Sequence, residues 1–587
     1  MNEVLNINEV TRNDYFKESH GKTVVEMTLK AALELGDNLF YPIFEEMDRK
    51  VPLFEKDNVV VHDKVKEIMK ECGEGGWIAA SLPVQYGGFQ MPRMLHLSCR
   101  FILSAANYSA GVFPNLTTGA ARLIVKFGND WMKKTYLPKM VKGQWQGTMA
   151  LTEPEAGSSL ADLKTTAELD SSGNFYNISG QKIFISAGDH DGVKNIVHML
   201  LAKIPGSPPG VKGISLFLVP KLRVNEEGNL ESNDVITAEV YHKLGYRGCP
   251  ITKLNFGENN NCRGYLVGEA NKGLSHMFQL VNESRISVGI GSAAIASAAY
   301  HAALEYTQQR KQGRPLGEKN PLNPPVEIIE HLDIKRMLLY QKSIIEGSLS
   351  LLLYGAKCAD LEEVSNGADK ERWKYLLEIL TPIFKAYPSE KGIICVSNAL
   401  QCFGGYGYCE DFPVEQLYRD IRIHPLHEGT TGIQALDLLG RKVSYKNGIA
   451  FQIFCEEVEK SIETALSFNE LKDFSKDLQA GLDRLKLVTR ELLEQAVSKQ
   501  AKAWIADATL YLEMFGTVAI AWQWLLQGPA IISGLKKSNK KEFNFFQGKL
   551  FALMFFFKYE LNNIYSIERR LLNEDDLLIS LKKEYLN

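Results

Sequence analysis

A chain of 587 residues with 45% hydrophobic content is too long for one ordinary core, so several domains and a cleft large enough for catalysis are expected. A net charge of −3 and a sequence pI near 6.5 offer no global field for a polyanion, which argues against nucleic acid or anionic lipid as a partner. The nine cysteines are odd in number, scattered and never spaced C-x-x-C, which predicts reduced thiols in a cytoplasmic setting and neither a disulfide framework nor a zinc cage.

Residues 1–19 mix acidic, amide and single apolar residues, which fits neither a signal peptide nor a transit peptide, and no segment is expected to reach membrane-spanning length. From 22 to 142 apolar residues recur at helical spacing, as in Val24, Met27, Ala31 and Leu35, so an N-terminal helical domain is expected over 1–148. Near Met149 the texture changes. Tyr176-Asn-Ile-Ser alternates, Gly180 is read as a turn, Lys182-Ile-Phe-Ile-Ser alternates again, and strands at 195–203 and 213–220 extend a small middle β domain over 149–270.

Helical periodicity then returns at 274–312, 326–358, 370–403 and 432–444, the pattern of a four-helix-bundle domain over 271–446. Residues 444–448 read as a linker. Beyond them, helices at 451–468, 471–500, 504–533 and 543–571 predict an extra C-terminal helical domain over 447–587. The basic run Lys536-Lys-Ser-Asn-Lys-Lys before Leu550-Phe-Ala-Leu-Met-Phe-Phe-Phe is read as a solvated loop leading into a core helix, since the apolar run is short for membrane insertion.

The chemistry-bearing text lies between 401 and 434. Gln401-Cys-Phe-Gly-Gly-Tyr-Gly-Tyr is followed by Tyr418-Arg-Asp and then by His427-Glu-Gly-Thr-Thr-Gly-Ile-Gln, which sets Glu428 among glycines, hydroxyls and an imidazole. A carboxylate beside apolar and imidazole neighbours can be desolvated into a usable base, and glycine next to it leaves room for a ligand. Taken alone, Glu428 could equally serve the start of the helix that follows it. His424-x-x-His427-Glu has neither of the common zinc-helix spacings, so no metal site is expected. Gly147-Thr-Met-Ala-Leu-Thr-Glu-Pro-Glu-Ala-Gly-Ser-Ser gathers hydroxyls and small residues after an apolar strand, a loop able to set backbone N–H groups against a flat polar ligand.

These strings, with Gly180-Gln-Lys-Ile-Phe-Ile-Ser186, Asn271-Lys-Gly-Leu, Ser284-Arg-Ile and Gln308-Gln-Arg-Lys-Gln-Gly-Arg314, resemble the acyl-CoA dehydrogenase family over nearly the whole chain to Lys442. The additional C-terminal region is similar to that of a long bacterial subgroup. The resemblance implies a mainly α fold with a small central β-barrel-like domain, FAD as cofactor and an acyl-CoA as substrate. By motif position, Leu151, Thr152, Ser158, Phe184 and Ser186 would meet the flavin ring, with Phe184 where many relatives carry Trp.

Arg310, Gln401, Gly404, Gly405, Thr430 and Gln434 would hold the pyrophosphate and adenosine portions, Gln401 and the glycines doing so from a neighbouring subunit, which implies a homodimer. Gly313 replaces a Phe common in short relatives, and the charge of Arg314 is a candidate compensation. Ser158, Arg285, His427 and Gly429 would face the substrate.

The implied chemistry is α-proton abstraction by Glu428 with transfer of the β-hydrogen to flavin N5, the electrons then passing to electron-transferring flavoprotein. Some relatives place the base on the helix that here carries Asn282-Glu-Ser-Arg285. Glu283 sits one residue from the matching position, and one step turns a helical side chain by about 100°, so Glu428 is preferred. Alternatives are an acyl-CoA oxidase using O₂ and a noncatalytic flavoprotein whose C-terminal domain binds protein or nucleic acid.

Overall fold

The computed structural model describes residues 1–16, 21–497, 503–573 and 575–587, the side chains of 278–282 excepted. It forms two compact units, one of residues 14–284 and one of residues 1–13 with 285–587.

The first unit opens with helices Lys22–Leu35, Lys64–Glu74, Arg93–Ala106, Tyr108–Phe127 and Asp130–Val141. The all-helical expectation for this region misses one hairpin, Leu53–Glu55 paired with Asn58–Val60, whose turn residues Lys56 and Asp57 adopt the left-handed backbone. Asn107 and Asn129 cap two of the helices by accepting from Ala110 and Met132 N–H.

An eight-stranded sheet follows. Its Trp145–Ala150 strand runs parallel to Asn195–Lys203, which is buried along nearly its whole length, while most other pairs are antiparallel. Gly180 does not turn the chain as expected. Tyr176–Ser186 is one strand pairing along its length with Thr166–Leu169 and Ile251–Phe256, and Gly180 is needed there because a Cβ would come within 2.5 Å of the Thr165 hydroxyl.

The second unit is built from long helices. Gly273–Gln309 leads into it, followed by Leu332–Val364 and Gly367–Cys402, then the short Pro413–Ile421 and Thr431–Asp437. The helix expected from 326 begins at Leu332, since Pro324 and Pro325 interrupt the helical backbone and Val326 N–H instead bonds the Gly313 carbonyl. The expected linker is a run of left-handed residues, Lys446, Asn447 and Gly448, at the head of Tyr445–Leu466. Helices Lys472–Val497, Ala508–Lys537, Lys540–Phe555 and Asn563–Leu571 complete the chain; the expected end of the second of the four C-terminal helices, at 498–500, lies outside the described residues.

The C-terminal helices pack onto the preceding bundle. Trp524 donates to the Ser343 carbonyl at 3.0 Å, Trp522 donates to the Ser461 hydroxyl at 2.8 Å, and both rings are buried. Lys391 pairs with Glu513 at 2.7 Å, and Arg372 pairs with Glu456 and Glu457. The expected loop at 536–541 is only Ser538 and Asn539 between two helices, Asn539 and Glu542 forming a reciprocal cap; of the apolar run that follows, Leu553, Phe555, Phe556 and Phe557 are buried and Phe551 is exposed.

Among the described residues two helices are nevertheless long and apolar enough to cross a membrane by length and composition, Glu283–Gln309 and Ala508–Lys537, contrary to expectation. Most of the apolar window in each is buried inside the protein, which accounts for the hydropathy. All nine cysteines are unbridged, and only Cys409 is exposed.

Candidate active site

In the first unit, the Leu151–Ser158 loop is fixed from beneath by a buried ion pair. Lys182 is fully buried on the Tyr176–Ser186 strand, and its ammonium donates to Glu153 at 2.8 Å and to the Leu151 carbonyl at 3.0 Å. Glu153 also accepts from the Lys164 and Thr165 N–H groups and the Thr165 hydroxyl. Burial works to raise the Glu153 carboxyl, but Lys182 and these donors outweigh it and hold the group below the usual carboxylate range. Burial pushes the Lys182 ammonium down to about 8 against the attraction of Glu153.

The consequence is a rigid loop. Thr152 accepts from Ile183 N–H at 2.9 Å, which sets Thr152 beside Phe184. Phe184 has φ +58° and is 58% exposed, its ring 5.1 Å from Tyr241; the neighbouring pairing carries a register shift at Thr252/Leu254 that turns the side chain out of the ladder. Ser186 bonds the hydroxyl of buried Tyr246. Ser158 is exposed farther along the loop.

Glu283, the rival base, also belongs to this unit. Its carboxylate is held by Arg93 at 2.5 Å and by Arg122. An anion gripped by two guanidinium groups is a poor proton acceptor. Neighbouring Asn282 lies outside the described side chains.

In the second unit the remaining candidates form two groups. Arg310 and Gln401 are exposed, and Tyr306 stacks on Phe403 at 4.2 Å, which brings the end of the Gly273–Gln309 helix beside the Gly404–Gly405 turn. Gly404 has φ +60°, and a Cβ on either glycine would meet nothing within 4 Å, so backbone is presented without a covering side chain. The Arg314 guanidinium donates to the Asn323 and Pro321 carbonyls of its own loop.

The other group surrounds Glu428. This residue takes φ +56° and Gly429 φ +87°, a left-handed pair unusual for glutamate. Glu428 does not cap the following helix: Thr430 is the cap, its hydroxyl oxygen accepting from Ile433 N–H at 3.3 Å. Gln434 is fully buried and its amide donates to the Glu428 and Gly429 carbonyls, each at 3.2 Å, clamping the turn. The Glu428 side chain is exposed, so the residues of its own unit do not supply the desolvation expected of the base.

His427 is half-buried and its ring meets His424 edge-on at 5.4 Å; burial first, then His424 and Lys385, push it far below its ordinary value, leaving it neutral. Arg285 is a buried cation. It is 7% exposed and donates to Asp437 at 3.0 Å. Burial opposes the Asp437 charge, but Lys442, Arg441 and Arg285 together hold that carboxyl low.

Three functional-looking residues escaped the sequence reading: Glu153, Lys182 and Lys385. Lys182 and Lys385 are single cations inside apolar stretches, Ile183 following the first and Ile383-Phe384 preceding the second, a signal visible in the sequence.

Comparison with known proteins follows the same order of domains. Family profiles match at residues 26–144 (acyl-CoA dehydrogenase, N-terminal domain), 148–258 (middle domain), 271–443 (C-terminal domain) and 454–582 (acetyl-CoA dehydrogenase C-terminal like). The chain is 36% identical over 527 residues to a 3-methylmercaptopropionyl-CoA dehydrogenase of Ruegeria pomeroyi, covering 88% of this chain and 87% of the relative. It is 32% identical over 599 residues to a butyryl-CoA dehydrogenase of Syntrophomonas wolfei, covering 99% and 97%. The crystal structure of an acyl-CoA dehydrogenase complexed with FAD from Bacillus anthracis superposes with a TM-score of 0.75 at 21% identity, covering 96% of this chain and 90% of that one.

Proposed function

The chain belongs to the acyl-CoA dehydrogenase family and is an FAD-dependent oxidoreductase acting on CH–CH bonds, and from that premise we propose that it converts an acyl-CoA thioester to the trans-2-enoyl-CoA with Glu428 as the base. The observation that carries the choice of base is the contrast between two carboxylates. Glu283 is held by Arg93 and Arg122, whereas Glu428 is exposed on a clamped left-handed turn beside Gly429.

The residues present fit the cofactor. The exposed ring of Phe184 beside Thr152 offers an apolar face to a flat ring system, and Gly404 with Gly405 leaves backbone open to a phosphate or ribose. Thr430 keeps its hydroxyl proton free to donate, since its oxygen is the accepting atom in the cap, and the buried Gln434 Oε1 has no partner among the described residues. FAD, when bound, supplies the acceptor for the β-hydrogen. Leu151, Thr152, Ser158, Phe184 and Ser186 would hold its ring side, and Arg310, Gln401, Gly404, Gly405, Thr430 and Gln434 the remainder.

Glu428 then has one task, to accept the α-proton. A thioester α-proton is too weakly acidic for a free carboxylate, so its carbonyl must be polarised by fixed donors, among them the Glu428 N–H in the clamped turn. His427 and Gly429 would border the thioester, and Arg285 would support the CoA side. Electrons would pass to electron-transferring flavoprotein. A homodimer is the proposed assembly, supported by C-terminal helices that cover the preceding bundle through Trp522 against Tyr354 and Trp524 on the Ser343 carbonyl; a stable tetramer by mass measurement would count against it.

Butyryl-CoA, the substrate in the name of one relative, is a suitable first probe. The product should be two hydrogens lighter, and turnover should need an added flavoprotein acceptor; stoichiometric peroxide formation in air would establish an oxidase instead. The turn itself can be tested. A Cβ on Gly429 would lie 2.6 Å from the Gln434 amide nitrogen at a φ of +87°, so Gly429→Ala should push the clamp off the base. Displacing a base by a fraction of an ångström costs about 10- to 100-fold, so flavin reduction should slow by that factor with FAD still bound.

A further inference from the structure

The C-terminal helices carry a surface that the proposed chemistry leaves unused. Ala508–Lys537 and Lys540–Phe555 are joined by Ser538 and Asn539 alone, and every residue from 539 to 545 is exposed, so the start of the second helix projects from the body of the protein. Phe543 and Phe545 lie in this tip, 43% and 58% exposed. Two residues apart on a helix, they point about 200° from one another, which puts an aromatic ring on both flanks of the tip. The tip holds its shape without packing: Asn539 accepts from the Lys541 and Glu542 N–H groups, and Glu542 accepts from Asn539 N–H.

Its charge departs from that of the chain. Residues 536–549 hold five lysines and one carboxylate, Glu542, in a protein of net charge −3. Lys536 pairs with Glu470 at 2.9 Å and Lys549 with Glu346 at 3.1 Å, whereas Lys537, Lys540 and Lys541 have no carboxylate partner among the described residues. Close, uncompensated cations gain from a partner that brings anions, and exposed phenylalanine gains from one that brings an apolar phase.

We propose that this tip docks on an anionic lipid bilayer, its lysines meeting headgroup phosphates while Phe543 and Phe545 enter the boundary between headgroups and acyl chains. A bilayer presents a layer of negative charge directly above an apolar phase, which matches both kinds of residue on the tip. A second copy of the chain does not: a two-fold axis through the tip would set the lysines of one copy against those of the other. The near-balanced charge of the whole chain bears on long-range attraction, and a contact at the surface is governed by the charges within a Debye length of it. The docking is peripheral, since the exposed tip is far shorter than a membrane span and the apolar window of Ala508–Lys537 is mostly buried inside the protein.

The test is co-sedimentation of the FAD-loaded protein with vesicles of phosphatidylcholine alone and of phosphatidylcholine mixed with phosphatidylglycerol, at low and at physiological salt. Binding should require phosphatidylglycerol and weaken as salt rises. Lys537→Gln, Lys540→Gln and Lys541→Gln together remove three cations near the surface and should weaken binding to the mixed vesicles by about 100-fold. Phe543→Ser with Phe545→Ser should weaken it by about 10-fold. Neither set includes a residue proposed to hold FAD or acyl-CoA, so flavin reduction by butyryl-CoA without vesicles should match wild type and reports folding; the lysine set decides if the phenylalanine set fails that control. Equal binding to both kinds of vesicle, no binding to either at low salt, or binding that survives the lysine substitutions would overturn the proposal. A gel shift of duplex DNA that the lysine substitutions abolish, with no vesicle binding, would overturn it in favour of a nucleic acid.

Discussion

Glu428→Gln should lower the rate of flavin reduction by an acyl-CoA by about 10³- to 10⁴-fold, leaving FAD binding and thermal stability close to wild type. Glutamine preserves the shape of the side chain and cannot accept a proton, so the loss falls on the chemical step. The small stability effect follows from position: the side chain is exposed, and Gln434 holds the turn through the backbone carbonyls of 428 and 429, which the substitution retains. The matched control is Glu283→Gln. Because Glu283 is held by Arg93 and Arg122, its loss should be read chiefly in the melting temperature and leave the rate of flavin reduction within about tenfold. Stopped-flow reduction and thermal melts of the two variants give the comparison directly.

The second large effect is structural. Glu153→Gln would leave fully buried Lys182 without its counter-ion, so that it must either be buried as an unpaired charge or give up its proton, and removing one partner of a buried pair costs about 3–5 kcal/mol. The same ammonium donates to the Leu151 carbonyl, so strain should pass to the loop proposed to meet the flavin ring, and FAD should dissociate more readily from the variant. A thermal melt and an FAD-release assay would show both. The pH dependence has a definite sign. The folded Glu153 carboxyl is held below its unfolded value, so its contribution to stability is present above the ordinary carboxylate range and is lost as pH falls through the lower folded value. Glu153→Gln should lack that part of the acid sensitivity.

Much of the architecture was legible because periodicity reports burial. The strand Asn195–Lys203 and the helices Gly273–Gln309 and Gly367–Cys402 follow from their apolar patterns. Gly180 was misread because a glycine between two alternating runs looks like a turn until the approach of Thr165 shows why a side chain is barred there. The hairpin at 53–60 is too short to generate a period, and its left-handed Lys56 and Asp57 are not the residues that usually announce such a turn.

At the site, Glu428 and Gly429 stood out as a string, but the clamp did not. That Gln434 would turn back onto the 428 and 429 carbonyls depends on a left-handed glutamate that no local rule predicts. Likewise nothing near Arg285 in the sequence marks its ion pair, because its partner, Asp437, is 152 residues away. Lys182 and Lys385 show the general difficulty: an isolated lysine in an apolar stretch is marked in the sequence, but whether it has a counter-ion is decided by residues elsewhere in the chain.

The most direct measurement is an anaerobic visible spectrum of the FAD-loaded protein during titration with a chain-length series of saturated acyl-CoAs. The proposed function predicts that the flavin band bleaches with at least one member of the series and that the matching trans-2-enoyl-CoA accumulates. A bound flavin that no acyl-CoA in the series reduces would contradict it.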